Sequence, residues 1–247
     1  MLLRRKGFYY GWVVVLASAF VVFGVSGSQF SFGVFLKPMT EEFGWRRGDM
    51  ATAMGVTFML AGLLRPAAGY LADRYNPKWV ALSGVVVMAV GLALLPHIQN
   101  LVHLYLVFAF MSIGLTLGAG PTLTKIVSAW FYDHRGVTLG IINGGGSMGS
   151  LVLVPASSAF LVLAGWKEAY QFLAVLLLVL VVPVGFLLIK NRPQDVGLEP
   201  QGDGYGAGGS SGEIVSRVGQ EYGARDSTLR EALRTPFFWK LTVGYFV

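Results

Sequence analysis

Charged residues are absent from four long stretches of the chain, residues 7–36, 79–124, 136–166 and 169–189. A helix that crosses the hydrocarbon core of a bilayer needs about 20 apolar residues. Each stretch is long enough, and the second is long enough for two helices, divided at Pro96-His97-Ile98-Gln99-Asn100. A further apolar segment begins at Asp49 and carries one interior charge, Arg65. The pattern predicts six spanning helices: about 10–36, 49–72, two within 79–124, 137–163 and 168–189. Transmembrane strands are the poorer reading, because they need only about 10 residues of alternating character and these runs are continuous. Helices also satisfy every backbone polar group internally where no water is present. Arg4, Arg5 and Lys6 precede the first run, as in a signal peptide. That run is far longer than the roughly 7–15 residues of a secretory apolar region, so it reads as a retained span.

After Lys190 the composition changes. Residues 191–235 are polar and rich in Gly, with Pro193, Pro200 and the run 202–212, and they read as a flexible linker. Within it, 227–233 has the pattern of a short amphipathic helix with Ser227 as N-cap. Pro236 opens a second apolar segment, 237–247, which is too short to span. The expected organisation is a six-helix membrane bundle over 1–190, a linker over 191–235, and the start of a seventh helix over 236–247 in a chain that continues further.

Composition narrows the function. Hydrophobic residues make up 54% and charged residues 13%, against about 25% charged in soluble domains. Cys is absent, and the 3 His are scattered, which excludes disulfide scaffolds, thiol nucleophiles and a His-based zinc cluster. The net charge of +6 does not point to nucleic acid, because the basic residues lie between apolar runs rather than along one patch. Their distribution instead sets orientation. Twelve Lys and Arg fall on the side of the N-terminus and linker and four on the other, so the N-terminus and linker are expected in the cytoplasm. Trp12, Trp45, Trp79, Trp130, Trp166 and Trp239 all fall at expected span ends, as an aromatic belt would place them.

Residues 69–78 read Gly69-Tyr70-Leu71-Ala72-Asp73-Arg74-Tyr75-Asn76-Pro77-Lys78. This resembles the loop 2–3 signature of the major facilitator superfamily, G-x-L-x-D-R-x-G-R-K, at Gly69, Leu71, Asp73, Arg74 and Lys78. Asn76 stands where the signature has Gly, and Pro77 where it has a basic residue. Asn tolerates the left-handed conformation, so the turn is expected to survive. Gly69 is expected to allow close helix approach. Asp73 is expected to pair with basic loop residues or to face a helix N-terminus. The resemblance implies that Gly69, Asp73, Arg74 and Lys78 act as a gating latch between two halves. By the residues alone, the segment is also an ordinary positively charged loop.

Tyr10-Gly11-Trp12-Val13-Val14-Val15, Ser31-Phe32-Gly33-Val34-Phe35 and Glu42-Phe43-Gly44-Trp45 resemble the opening of monocarboxylate-transporter-like members of that superfamily. Trp130-Phe131-Tyr132-Asp133-His134-Arg135-Gly136 and Arg192-Pro193-Gln194-Asp195-Val196-Gly197-Leu198 extend the resemblance over nearly the whole chain. It is similar to both the proton-linked monocarboxylate carriers and the bacterial oxalate/formate exchangers. The animal carriers have a functional Lys in span one. An ungapped reading places it on Phe30, so its binding role does not carry over.

Five residues are candidates for substrate contact. Arg65 lies about 8 residues, or roughly 12 Å, inside the end of span two. A charge there is costly and should face a cavity or a partner. It reads equally as a cationic anchor for a carboxylate and as a structural ion pair or a snorkelling side chain. Lys125, roughly 7–8 Å inside span four, is a second candidate, although its stem is long enough to snorkel. Gln29 and Phe30, with Ser31, interrupt span one and either line a cavity or make helix–helix contacts. Asn143, with Ser147, lies in span five among Gly140, Gly144, Gly145, Gly146 and Gly149, whose spacings suit helix packing. Gly114, Gly118 and Gly120-Pro121 in span four read the same way. Gly144-x-Gly146-x-x-Gly149 fits a dinucleotide fingerprint, but it lies inside an uncharged membrane run rather than at a strand–helix turn.

The resemblance implies a secondary transporter of small organic anions, chiefly monocarboxylates, working by alternating access between this six-helix half and a missing C-terminal half. An efflux or other solute carrier on the same scaffold is the alternative, since fold does not set substrate. Symport with protons and exchange both remain open. No enzyme activity, cofactor, metal or nucleic acid is expected, because no paired carboxylates or activated nucleophile are visible. The expected location is the plasma or inner membrane.

Overall fold

The computed structural model describes residues 9–131, 134–199, 201 and 235. These residues are almost entirely helical, with one isolated parallel bridge between Phe131 and Gln201. Six helices are long and apolar enough to cross a membrane: Tyr10–Phe43, Arg47–Arg74, Pro77–His97, Leu101–Ser128, Arg135–Ala164 and Trp166–Leu188. The chain is an all-α membrane protein with the six spans that its hydrophobic pattern predicts, the first running several residues further. All six belong to one compact unit, Met1–Gly202. The short helix expected at 227–233 and the seventh helix expected from 236 lie outside the described residues.

Three spans are interrupted, each for a local reason. Span one comprises α1 (Tyr10–Phe30) and α2 (Phe32–Phe43), which meet at Ser31. Span four comprises α5 (Leu101–Ala119) and α6 (Pro121–Ser128). Gly120 leaves the helical region between them, at φ −102 and ψ −145, and Pro121 supplies no N–H to continue the ladder. Span six comprises α8 (Trp166–Leu176), a π turn over Leu177–Val181, and α9 (Val182–Leu188), with Pro183 next to the wide turn. The remaining spans are α3 (Arg47–Arg74), α4 (Pro77–Leu94) with a 3₁₀ turn over Leu95–His97, and α7 (Arg135–Ala164). A single residue, Gly165, turns the chain from α7 into α8 at φ 102, a conformation that suits glycine.

Small residues set the closest helix approaches. α1 packs along α7, where a Cβ on Gly145 would strike the carbonyl of Ala19 and one on Gly149 the carbonyl of Phe23. A Cβ on Gly27 would lie 2.7 Å from the backbone of Gly149. α4 packs along α5 through Gly84, Gly114 and Gly118 in the same manner. In lipid, where the hydrophobic effect does not drive helices together, such backbone contact supplies the dispersion that holds them. The expected packing role therefore holds for Gly114, Gly118, Gly145 and Gly149. At Gly69, Gly140 and Gly144 no close approach occurs among the described residues. A Cβ at any of these meets nothing within 4 Å, and the same is true of Gly48, Gly55 and Gly62. Gly48, Gly55, Gly62 and Gly69 recur every seventh residue on α3, so a continuous glycine stripe lies open among the described residues.

Polar clasps join the span ends. At one end, the carboxylate of Glu42 accepts from Trp166 Nε1 and, at 2.8 Å, from Lys167 Nζ, tying span one to span six. At the other, Trp130 is fully buried and its Nε1 donates to the carbonyl of Lys190 at 3.0 Å. The hydroxyl of Tyr9 donates to the carbonyls of Trp130 (3.1 Å) and Glu199 (2.9 Å), and Gln201 N–H donates to the Trp130 carbonyl (2.9 Å). Two expectations change as a result. Trp130 and Trp166 (5% exposed) are interior clasps rather than parts of a lipid-facing belt, while Trp79 at 56% fits the belt. The start of the expected linker, residues 191–199 with 201, docks on the bundle, and the compact unit runs to Gly202.

Gly149→Ala is expected to destabilise the protein by about 1–3 kcal/mol through overpacking, despite the better helix propensity of Ala. Gly33→Ala, whose Cβ meets nothing within 4 Å, serves as the control. Thermal unfolding of the purified proteins measures both. Equal stability of the Gly149 variant and wild type would contradict the close α1–α7 contact.

Candidate functional site

Two pockets divide the candidate residues. The first, about 200 Å³, lies among α1, α3 and the α5–α6 break. Gln29, Phe30 and Arg65 all line it, with Ser26, Thr116 and Gly120 among the other walls. Candidates that the sequence singled out on two different spans thus converge.

Each is positioned by its own element. Gln29 sits one residue before the end of α1 and is 2% exposed. Its Nε2 donates to Met54 Sδ at 3.2 Å, while Oε1 has no hydrogen-bond partner. Phe30, onto which the carriers' lysine falls, is half-exposed at the pocket. Arg65 is exposed on α3 and makes no ion pair or hydrogen bond among the described residues. Behind it, Thr116 Oγ1 donates toward the carbonyls of Ser112 (2.7 Å) and Ala61 (3.2 Å), joining α5 to α3.

The sequence treated Gly120-Pro121 as packing, yet the pair does more. It ends one helix and starts another at the pocket wall. α6 starts at Pro121, so the positive end of its dipole lies beside Gly120. A Gly-Pro dipeptide inside an apolar run was the available signal.

The second pocket, about 450 Å³, lies at the end of span two that carries the loop 2–3 motif. Lys125 is found here rather than with Arg65. Its Nζ donates to a carboxylate oxygen of Asp73 and, at 2.8 Å, to the carbonyl of Ala72. Asp73 thus takes its partner from span four rather than from a loop. Arg74 lines the same pocket. Lys78 Nζ donates to the carbonyl of Phe186 and lies 4.8 Å from its ring, linking span three to span six.

Asn76 is extended, at φ −65 and ψ 113, and not left-handed as expected. It is the N-cap of α4, with Pro77 at the first helical position, where a missing N–H costs nothing. Its Oδ1 accepts from Lys78 N–H at 3.1 Å, and the Asn191 amide crosses to it, donating through Nδ2 at 2.7 Å. The capping residue explains why the motif tolerates loss of its usual glycine. Asn191 carried no sequence signal for this role.

Asn143 lines neither pocket. It is exposed on α7, and its Nδ2 donates back to the Leu139 carbonyl at 3.0 Å.

A family model described as Major Facilitator Superfamily matches residues 18–247. The chain is 26% identical to "Uncharacterized MFS-type transporter YcxA" of Bacillus subtilis, over 74% of this chain and 45% of that protein. It is 22% identical to "Oxalate:formate antiporter" of Oxalobacter formigenes, over 95% and 51% respectively. It is 31% identical to "Monocarboxylate transporter 11" of Mus musculus, over 72% and 40%. The chain thus spans about half the length of the curated relatives it matches. A bacterial homolog of the human lysosomal transporter Spinster, in its inward-facing and occupied conformation, superposes with a TM-score of 0.66 at 16% identity, covering 76% of this chain and 46% of that one. That likeness concerns the fold.

The Asp73–Lys125 pair is 72% and 45% exposed at the two side chains. A double-mutant cycle with Asp73→Asn and Lys125→Gln is expected to give a coupling of about 0.2–1 kcal/mol that shrinks as salt is added. Thermal melts at low and high ionic strength measure it. Zero coupling at low salt would remove the pair as a tie between spans two and four.

Proposed function

The chain belongs to the major facilitator superfamily, and from that premise we propose that it is the first half of a secondary carrier for small organic anions, chiefly monocarboxylates. In this reading, 1–190 is the N-terminal six-helix bundle, 191–235 a cytoplasmic linker and 236 onward the start of helix seven. Transport proceeds by alternating access, with the substrate held between two halves near the bilayer midplane. The second half packs on the open glycine faces of α3 and α7. Gly69, Asp73, Arg74 and Lys78 form the latch that closes one side. The N-terminus and linker lie on the cytoplasmic side, following the Lys and Arg excess.

One observation carries the anion reading: Arg65, inside a span, has no carboxylate partner among the described residues and lines a pocket with Gln29. An uncompensated guanidinium at membrane depth is costly. A carboxylate ligand offsets that cost, and the planar fork matches it in two parallel hydrogen bonds. The α6 N-terminus adds positive potential of the same sign. Names among the relatives, an oxalate:formate antiporter and monocarboxylate transporters, agree with this chemistry. Lys125, being paired with Asp73, serves the latch rather than the substrate, and Asn143 on α7 faces the space that the second half would close. The acids of the described spans, Glu41, Glu42, Asp49, Asp73 and Glu168, all lie in terminal turns. A symporter would therefore draw its deep proton site from the other half, whereas an exchanger would need none.

Uptake by the full-length protein in proteoliposomes tests the proposal, using labelled lactate, pyruvate, formate and oxalate with and without a pH gradient and internal counter-substrate. Arg65→Gln is expected to raise KM at least about tenfold, the loss of one charge-assisted bidentate contact, or to abolish uptake. Lys125→Gln is expected to leave KM nearly unchanged. Wild-type kinetics in a normally expressed Arg65→Gln variant would remove the anion assignment. Competition by cationic drugs instead of carboxylates would select the alternative, a carrier of another solute on the same scaffold.

A further inference from the structure

We propose that residues 191–201 are a strap that locks the end of span four, and that this strap docks and releases as one cooperative unit. The inference is independent of the anion reading of Arg65.

The strap has a shape of its own, set by local sequence. Pro193 is buried and opens a 3₁₀ turn, Pro193–Val196. The Asp195 carboxylate accepts from Arg192 N–H at 3.1 Å and caps the start of that turn. Gly197 ends it in the left-handed region, at φ 69, a conformation that suits glycine. Leu198 N–H donates back to the Pro193 carbonyl at 3.0 Å, and the Leu198 side chain packs against the apolar core.

This capped piece is anchored at both ends. At its first residue, Asn191 Oδ1 accepts from Lys78 N–H at 3.0 Å and Nδ2 donates to Asn76 Oδ1 at 2.7 Å, at the start of α4. At its last, Gln201 N–H donates to the Trp130 carbonyl at 2.9 Å. The Tyr9 hydroxyl reaches the same carbonyl (3.1 Å) and that of Glu199 (2.9 Å). Span one, the strap and the end of span four therefore meet at one junction. Trp130 is enclosed there: it is fully buried, its indole N–H donates to the Lys190 carbonyl at 3.0 Å, and the Tyr9 and Tyr10 rings lie 6.0 and 5.8 Å from its own.

Trp130 lies just past α6, a helix of 8 residues. The break at Gly120 cuts α6 off from the hydrogen-bond ladder of α5, so the longer helix does not fix it. Lys125 ties its middle to α3, and the strap holds its end through Trp130. α6 also begins beside Gly120, a wall of the Arg65 pocket, so fixing one end of this short helix constrains the other. The strap's bonds to Tyr9, Asn76 and Lys78 are exposed or only partly buried. Such segments open locally, well below global unfolding. Because one capped turn joins the two anchors, loss of either loosens both.

Hydrogen exchange on the full-length protein tests this, read on fragments covering 191–201, 121–130 and, as internal reference, 101–119. Tyr9→Phe removes the hydroxyl at the junction and keeps the ring, while Asn191→Ala removes the opposite anchor. Each is expected to speed exchange over the whole of 191–201 by about three- to tenfold, the loss of one net hydrogen bond. A parallel rise is expected over 121–130, with no change over 101–119. Wild-type exchange over 191–201 at the rate of an unstructured peptide would overturn the strap. A rise limited to the mutated end would overturn its cooperativity, and a rise that spares 121–130 would overturn the lock on α6. Should one variant fail to fold, the wild-type protection and the other variant decide.

Discussion

The hydrocarbon core of a membrane offers no water, so each polar group of the chain must find a partner within the protein or face a cavity. Much of this architecture follows from that constraint. Backbone groups close into helices over six long segments. Acidic side chains are confined to terminal turns of the described spans, where Glu42 joins two span ends by accepting from Trp166 and Lys167. Among the places where the constraint is broken, Arg65, Gln29 and the Gly120 interruption line one pocket, while the Ser18, Ser28, Thr122 and Ser157 hydroxyls are buried without a partner elsewhere in the bundle.

Helix association has a different origin. Lipid chains are as apolar as leucine, so the spans gain little from burying apolar surface and must gain from close contact. Glycine pairs at α1–α7 and α4–α5 provide it, bringing one backbone against another. The open glycines of α3 and α7 have the same composition without a partner in this half. In the proposed carrier, this heptad-spaced stripe on α3 is where a second bundle would pack.

The two pockets separate a paired cation from an unpaired one. Lys125 and Asp73 neutralise one another at a span end, alongside Arg74, Arg192 and Asp195. Arg65 remains uncompensated deeper in the bundle. Two cations of similar depth in the sequence thus acquire different surroundings, set by whether a carboxylate on a neighbouring helix comes within reach. The Asn76 cap ties this end together further. It starts α4 where the loop signature's usual glycine is missing, and through Asn191 it couples the beginning of span three to the end of span six.

The sequence by itself determined the all-helical membrane class, the six spans and their approximate limits, and it singled out Arg65, Gln29 and Phe30. Those features depend on local composition: run length, charge depletion and polar interruptions can be read one residue at a time. Only the tertiary structure decided which candidates belong together. Lys125 and Arg65 look alike as lone cations in apolar runs, and the partner that distinguishes them lies 52 residues from Lys125 along the chain. Glycines 140 and 145 sit on one helix with equivalent spacing motifs, yet one faces open space and the other the Ala19 carbonyl, because the azimuth of a helix is set by its neighbours. Trp130, placed by sequence at an interface, is instead buried by Tyr9 and by the segment after span six. Contacts between residues distant in the chain carry no local signature, and the functional geometry of this bundle is made almost wholly of such contacts.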